Sequence, residues 1–86
     1  PEPFGRVIVE AMVCQKPVIA TSAGGAIELV THNHTGWLTE PKNVIQLSQM
    51  IQHCHTNPDM AQNIAANAYQ EAAQRFHIYN IQQQIE

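Results

Sequence analysis

The feature that most constrains the fold is a short apolar run, Val-Ile-Ala-Thr at residues 18–21, with turn-forming residues on both sides. Pro17 precedes the run, and Ser-Ala-Gly-Gly follows it at residues 22–25. A run of this length between turn signals is typical of a buried strand in a parallel sheet. The segments before and after it carry helical patterns, so the sequence favours an α/β fold.

The opening segment predicts either a helix or a strand, and the spacing of its apolar residues favours the helix. One helical face would be formed by Phe4, Val7, Ile8, Ala11 and Met12, at i, i+3, i+4, i+7 and i+8. The strand alternative comes from the β-branched run Val-Ile-Val at residues 7–9. Pro3 suits the first turn of a helix and disfavours the α conformation at Glu2 before it.

A helix that begins here predicts an anion site between two carboxylates. The free N–H groups and the positive end of the helix dipole would lie around residues 4–7, where Gly5 also leaves the backbone accessible. Glu2 stands before that turn, and Glu10 lies about two turns further on, roughly 10–12 Å along the axis. An anionic ligand with hydroxyl groups on both sides of its phosphates could meet all three. The alternative is that both carboxylates are solvated surface acids.

The remaining elements follow from periodicity and turn chemistry. A short helix is predicted from Ala26 to Val30 and a strand at residues 37–39, with Asn43 as the N-cap of the next helix. The apolar stripe of that helix is predicted at Val44, Leu47, Ile51 and Cys54. A longer helix starts at Pro58 after an Asn57 N-cap. Its inner face is predicted at Ala61, Ile64, Ala65, Ala68 and Ala72, and Phe76 ends it. A last amphipathic helix is predicted at Ile78, Ile81 and Ile85.

Composition excludes several classes of function. The 86 residues include four basic and seven acidic side chains, a net charge of −3, which argues against a nucleic-acid partner. No apolar run approaches the ~20 residues of a membrane span. The two cysteines, Cys14 and Cys54, fall on apolar helical positions, which predicts buried, reduced thiols and a cytoplasmic protein. The histidines lack metal-ligand spacing, so no metal site is predicted.

Four linked segments carry a family resemblance. They are Glu-Pro-Phe-Gly at 2–5 with Glu-Ala-Met at 10–12, Lys-Pro-Val-Ile-Ala-Thr at 16–21, Gly-Gly-Ala-Ile-Glu at 24–28 and Thr-Gly-Trp-Leu at 35–38. In this order and spacing they resemble the C-terminal domain of the retaining GT-B glycosyltransferases of group 1, family 4. Glu2 and Glu10 match that family's E-x7-E signature. Gln15 and Ile27 depart from its pattern, which usually has Gly and Pro at these positions.

The resemblance implies a function and a set of site residues. Such enzymes transfer a sugar from a nucleotide-diphospho-sugar to an acceptor with retention of configuration. Glu10 would accept hydrogen bonds from the ribose hydroxyls, and Glu2 would act near the donor sugar and its leaving group. The backbone N–H groups of Phe4, Gly5, Arg6 and Val7 would face the sugar and diphosphate. The Arg6 side chain is either part of this site or simply exposed. No metal or other cofactor is implied.

The resemblance also implies that much of the enzyme lies elsewhere. Residues 1–86 would be part of the C-terminal, nucleotide-sugar-binding half of a Rossmann-like GT-B protein. The basic residues for the diphosphate would lie upstream, and the acceptor site on an N-terminal domain. The isolated chain is therefore predicted to be inactive, and either marginally stable or self-associating. The implied location is the cytoplasm, or the inner face of a membrane. The alternatives are a non-catalytic GT-B-like binding module and a different GT-B enzyme, such as an epimerase or phosphorylase.

Overall fold

The computed structural model describes residues 3–76 of the chain, with side chains described from Gly5 onward. In chain order the elements are α1 (Pro3–Val13), β1 (Ile19–Thr21), α2 (Ala26–Leu29), β2 (Trp37–Thr39), α3 (Val44–Thr56) and α4 (Pro58–Phe76). The predicted α/β class is confirmed. The last predicted helix, around Ile81, lies outside the described residues. Within residues 3–76, no helix combines the length and apolarity needed to cross a membrane.

Helix α1 forms over the opening segment, so the helical prediction is confirmed over the strand alternative. Its buried side carries Ile8 and Met12, which are 8% and 3% exposed. Val7, predicted on the same face, is instead 61% exposed. It lies at the margin of the buried face and lines an open cleft beside β1. The periodicity therefore identified the helix but overestimated the width of its covered face.

A Schellman motif closes α1 although no glycine is present. Lys16 N–H donates to the Ala11 carbonyl at 3.0 Å, and Gln15 N–H donates to the Met12 carbonyl at 3.0 Å. Gln15 takes the left-handed position of the motif, with φ of 55°, which glycine adopts at lower energy. The Gln62 side-chain amide donates to the Gln15 carbonyl and ties this turn to α4. The departure from glycine thus strains the turn without removing its hydrogen bonds.

Among the described residues, strands β1 and β2 form a two-stranded parallel sheet, as the apolar run predicted. The strand is less buried than predicted, because Ile19 and Ala20 are half-buried and Thr21 is exposed. The register pairs Ile19 with Trp37. Two backbone hydrogen bonds extend the pairing to the residues on either side of β1. Trp37 N–H donates to the Val18 carbonyl at 2.9 Å, and Ser22 N–H donates to the Thr39 carbonyl at 2.7 Å. A parallel pair needs a connection that returns the chain to the same end of the sheet, and α2 lies within that connection.

Helices cover both faces of the sheet, because successive side chains of a strand point to opposite sides. One face packs with α1, α2 and the later part of α4, in a core of Ile8, Met12, Val18, Ala26, Val30, Ala68 and Ala72. The other face centres on Trp37, which is 0% exposed. Around it lie Ala61 and Ile64, with Ile19, Met50, Cys54 and Met60 at the border.

Helix α4 joins the two cores and has the predicted inner face. Its buried residues are Ala61, Ile64, Ala65, Ala68 and Ala72. Because this face consists mostly of alanine, α4 can pack closely against its neighbours. The helix begins at Pro58 as predicted, and the Asn57 carbonyl accepts the Ala61 N–H at 3.0 Å. The Asn57 side-chain amide donates back to the His53 carbonyl of α3 at 2.9 Å, so this residue links the two helices.

Helix α3 begins as predicted but buries different residues. Asn43 is its N-cap, and the side-chain oxygen accepts the Gln46 N–H at 2.9 Å. The predicted stripe is wrong at three positions: Val44, Leu47 and Ile51 are 74%, 40% and 54% exposed. The helix instead turns Met50 and the predicted Cys54 towards Trp37. Within residues 3–76 the sheet has only two strands. Helix α3 therefore packs against it with one side, and the apolar residues on its other sides stay exposed.

The cysteine prediction is wrong for Cys14. This residue is exposed, because α1 ends at Val13 and the thiol follows in the turn. Cys54 is partly buried in α3, and burial raises the pKa of its thiol. Both cysteines are free thiols.

Candidate functional site

The first turn of α1 offers backbone donors to a ligand. The helix begins at Pro3, where the missing N–H would have no partner within the helix in any case. By the i→i−4 pattern, the Val7 N–H is directed at the Pro3 carbonyl. The leading donors are therefore those of Phe4 and Gly5, with Arg6 next in line. The positive end of the helix dipole adds to their attraction for an anion.

Gly5 lies in this turn and is half-buried. A Cβ added at this position would lie 3.6 Å from Leu29 Cδ1, an ordinary van der Waals contact. Packing against α2 therefore does not require a glycine. The same contact brings the beginning of α1 beside the end of α2.

Arg6 and Glu10 form an ion pair one helical turn apart. The Arg6 Nε and Glu10 Oε1 atoms are 3.2 Å apart, and the two side chains are 86% and 66% exposed. An exposed pair of this kind stabilises a helix by only about 0.3–0.5 kcal/mol. Glu10 is therefore an accessible acceptor whose present partner can be exchanged at small energetic cost. With Val7, these residues form a continuous exposed strip on α1.

An open cleft of about 630 Å³ lies between α1 and β1. Its walls are mostly aliphatic. They are formed by Val7, Ile8, Ala11, Pro17, Val18, Ile19, Ala20, Thr21, Ala23, Gly24 and Ala26. Val7 belongs both to this wall and to the exposed strip with Glu10, so that strip borders the cleft.

The glycine loop after β1 lies at the same cleft. Gly24 has φ of 55°, a left-handed conformation that favours glycine. The loop folds back on the strand, because Ala23 N–H donates to the Thr21 carbonyl at 2.8 Å. Helix α2 behind it is only four residues long. The loop therefore closes one end of the cleft.

The histidines next to β2 have structural contacts. The Nδ1 atom of His32 accepts the Leu38 N–H at 2.9 Å, and His34 Nε2 lies 3.9 Å from Glu71 Oε2. Within the described part of the chain, no three His, Cys, Asp or Glu side chains come together as metal ligands would.

Five of the six predicted site residues lie together on the first half of α1. These are Phe4, Gly5, Arg6, Val7 and Glu10. The sixth, Glu2, lies outside the described residues. Sequence reasoning missed the aliphatic wall that β1 and its loop contribute. The available signal was that strand β1 ends just before the glycine loop, since ligands of parallel sheets collect at such ends.

Comparison with known proteins gives the family. The family described as Glycosyl transferases group 1 matches residues 1–71. An uncharacterized glycosyltransferase of Methanocaldococcus jannaschii, MJ1178, is 39% identical over 66 residues, which are 77% of this chain and 19% of that protein. The N-acetyl-alpha-D-glucosaminyl L-malate synthase of Bacillus anthracis is 29% identical over 99% of this chain and 22% of its own length. The chain thus spans about a fifth of these relatives.

Solved structures confirm the GT-B-like fold. The crystal structure of Anabaena Alr3699/HepE in complex with UDP and glucose matches with a TM-score of 0.84 and 52% identity, over 99% of this chain and 23% of that one. Sucrose-phosphate synthase from Thermosynechococcus elongatus matches with a TM-score of 0.84 and 34% identity, over 98% of this chain and 21% of its own. Since the family match extends over most of its length, the chain belongs to the group 1 glycosyl transferases.

Proposed function

We propose that this chain is the donor-binding part of a retaining glycosyltransferase of family 4, with Glu2 and Glu10 as its E-x7-E pair. The full-length enzyme transfers a sugar from a nucleotide-diphospho-sugar to an acceptor. The bond from the anomeric carbon to the diphosphate oxygen breaks, and the new bond to the acceptor oxygen forms on the same face of the sugar. The nucleoside diphosphate leaves and takes up the proton that the acceptor hydroxyl loses. The product then keeps the donor's anomeric configuration.

The observation that carries this proposal is the accessible beginning of α1, with free backbone donors at one end and the exposed Glu10 further along. It supports the proposal because the site occurs in a chain 52% identical to Alr3699/HepE, which was crystallised with UDP-glucose. A nucleotide sugar carries both kinds of matching group: an anionic diphosphate for the donors and sugar hydroxyls for the carboxylate.

Glu10 is proposed to bind the ribose of the donor. A carboxylate accepts hydrogen bonds through two oxygens and can hold two neighbouring hydroxyls at once. The ion pair with Arg6 joins Arg6 Nε to Glu10 Oε1 at 3.2 Å, and both side chains are exposed to solvent. Ribose hydroxyls can therefore take the place of the Arg6 guanidinium at Glu10. The exchange leaves no buried charge unpaired, because both side chains are exposed.

The first turn of α1 is proposed to bind the donor sugar and diphosphate. The N–H groups of Phe4 and Gly5, with that of Arg6, are dipoles fixed in orientation by the helix. They stabilise negative charge that grows on the leaving diphosphate as the glycosidic bond breaks. Val7 contributes an aliphatic contact at the border of the cleft. Glu2 acts beside the donor sugar, either on a hydroxyl or on the positive charge developing at the anomeric carbon.

The remaining contacts are proposed to come from other parts of the enzyme. Basic residues for the diphosphate and the nucleobase contacts lie upstream in the C-terminal domain, and the acceptor binds mainly to the N-terminal domain. The 86-residue chain is then inactive alone, and no metal takes part in transfer. The enzyme works in the cytoplasm, or at the inner face of a membrane.

The substitution Glu10→Gln in the full-length protein tests the ribose assignment. Hydrogen bonds to a charged acceptor contribute about 1.5–3 kcal/mol, so UDP-glucose should bind roughly 10–100-fold more weakly by calorimetry. Glu40→Gln changes an exposed acid outside the proposed site and should bind within about twofold of wild type. Equal affinity in Glu10→Gln and Glu40→Gln would contradict the assignment.

A further inference from the structure

Two exposed side chains of α4 reach backbone carbonyls in segments far away in sequence. The Gln62 amide donates to the Gln15 carbonyl, in the turn that closes α1, at 3.2 Å. Arg75 Nη1 donates to the Glu28 carbonyl, in α2, at 2.9 Å. Both bonds join a side chain of α4 to a distant carbonyl, but they hold different parts of the fold. The bond from Arg75 has a charged donor, which makes it the stronger type.

Helix α2 depends on support from outside, because it is only four residues long. A single helical turn is not stable by itself. At its beginning, the N-cap residue Gly25 has no side chain with which to cap it. At its end, the Val30 N–H bonds to the Ala26 carbonyl, whereas the Glu28 carbonyl in the last turn has no donor within the helix. Arg75 supplies that donor, together with a positive charge at the helix C-terminus.

The end of α2 lies against the first turn of α1. Leu29 follows Glu28 directly, and its Cδ1 atom lies 3.6 Å from the place that a Cβ on Gly5 would occupy. Because Gly5 has no side chain, Leu29 stands beside the backbone of the turn with nothing between them. The Gly5 N–H is one of the leading donors of the proposed donor site. A displacement of α2 would therefore move the N–H groups that this turn presents.

Arg75 is itself held in place beside Leu29. Both residues line one small cavity, together with Met12 of α1. The Arg75 guanidinium carbon lies 5.4 Å from the centre of the Phe76 ring, which is a cation–π contact. Phe76 and Leu29 both pack against the core that α1, α2 and α4 share. The guanidinium therefore has a defined position from which it holds the end of α2.

We propose that Arg75 is a positioning residue for the donor site. Its hydrogen bond to the Glu28 carbonyl fixes the end of α2, and Leu29 in turn fixes the first turn of α1 in the position that binds the diphosphate. Arg75 acts through α2 and makes no contact of its own with the donor. The inference rests on the proposed function, because it requires a diphosphate at the first turn of α1.

The substitution Arg75→Met in the full-length protein tests the proposal, with binding measured by calorimetry. The ligand is UDP-glucose, or the nucleotide sugar that the wild-type protein binds best. Arg75 is exposed, so its replacement by Met removes the donor without opening a cavity in the core. The ligand should bind about five- to tenfold more weakly, because displaced N–H groups make poorer hydrogen bonds to the diphosphate. The stoichiometry should stay at the wild-type value, whereas a loss of folded protein would lower it.

Two further variants serve as a rescue and a matched control. Arg75→Lys keeps a charged donor and should retain most of the wild-type affinity. Gln62→Met removes the comparable bond to the Gln15 carbonyl, which lies about 15 Å along α1 from Gly5. This control should change the affinity by less than about twofold. Equal affinities in Arg75→Met and Gln62→Met would overturn the inference and leave the proposed function standing.

Leu29→Val tests the route through α2, because valine lacks the Cδ1 atom that lies beside Gly5. If Arg75 acts through Leu29, adding Arg75→Met to Leu29→Val should weaken binding by less than about twofold further. Effects that multiply in the double variant would contradict this route and overturn the inference. Absence of wild-type binding with every member of a panel of nucleotide sugars would overturn the proposed function, and the inference with it.

Discussion

Replacing Gly36 with Ala is expected to lower the free energy of unfolding by about 2–3 kcal/mol, towards the upper end of the range for overpacking. Gly36 is buried immediately before β2. An added Cβ would lie 2.8 Å from the Val18 carbonyl oxygen and 3.0 Å from Val30 Cγ1. The first of these contacts is closer than van der Waals distance and is made with a backbone atom. The same Val18 carbonyl accepts the Trp37 N–H that extends the sheet, so relieving the clash disturbs the ladder.

Urea unfolding of the full-length protein, followed by far-UV circular dichroism, measures this loss. Gly5→Ala is the matched control, because its Cβ would meet Leu29 at an ordinary 3.6 Å. A helical Gly→Ala change without a clash should stabilise the chain by roughly 0.5 kcal/mol. Opposite signs for the two substitutions are the expected result. A Gly36→Ala protein as stable as wild type would show that the Val18 contact is not restrictive.

Replacing Trp37 with Ala should lower the free energy of unfolding by about 3–5 kcal/mol. The indole is 0% exposed and lies at the centre of the core shared by β1, α3 and α4. Its removal leaves a cavity between the sheet and helices α3 and α4, where few other large side chains are buried. A loss of this size approaches the whole stability of a small domain, so the variant should be largely unfolded at 37 °C.

Trp37→Phe separates packing from hydrogen bonding at the same position. Within the described residues, the buried indole Nε1 has no hydrogen-bond partner. An unpaired buried donor opposes folding by about 1–3 kcal/mol, and phenylalanine removes it while keeping an aromatic ring. The Phe variant should therefore lose much less stability than the Ala variant, as measured by thermal melts in far-UV circular dichroism. Equal losses would mean that the indole N–H contributes a bond to folding.

Local patterns in the sequence predicted local structure well. The period of α4 identified all five of its buried residues, because an alanine-rich inner face is covered wherever a helix packs. The run at residues 18–21 predicted the strand, and Asn43 predicted the start of α3 through its side-chain bond to the Gln46 N–H. Each of these features depends on neighbours within about one turn or one strand.

Features that depend on the extent of the sheet could not be predicted in this way. Val7 and Ile51 lie at apolar positions of their helices, yet both remain mostly exposed. An apolar helix face is buried only where the sheet extends under it, and the extent of the sheet cannot be predicted from one helix. Cys14 is exposed because α1 ends one residue earlier. The site shows the same division: the helix start at Pro3 follows from the sequence, whereas the cleft beside β1 arises from packing.

The measurement that tests the central claim most directly is sugar transfer by the full-length protein with a panel of nucleotide sugars that includes UDP-glucose. Glu2→Ala and Glu10→Ala are measured beside Glu40→Ala, and the anomeric configuration of the product is determined by NMR. We expect transfer with retention, lost in Glu2→Ala, strongly reduced in Glu10→Ala and unchanged in Glu40→Ala. Wild-type transfer in both site variants, or a product of inverted configuration, would contradict the proposed mechanism. Absence of both transfer and nucleotide binding with every donor would instead indicate a non-catalytic module.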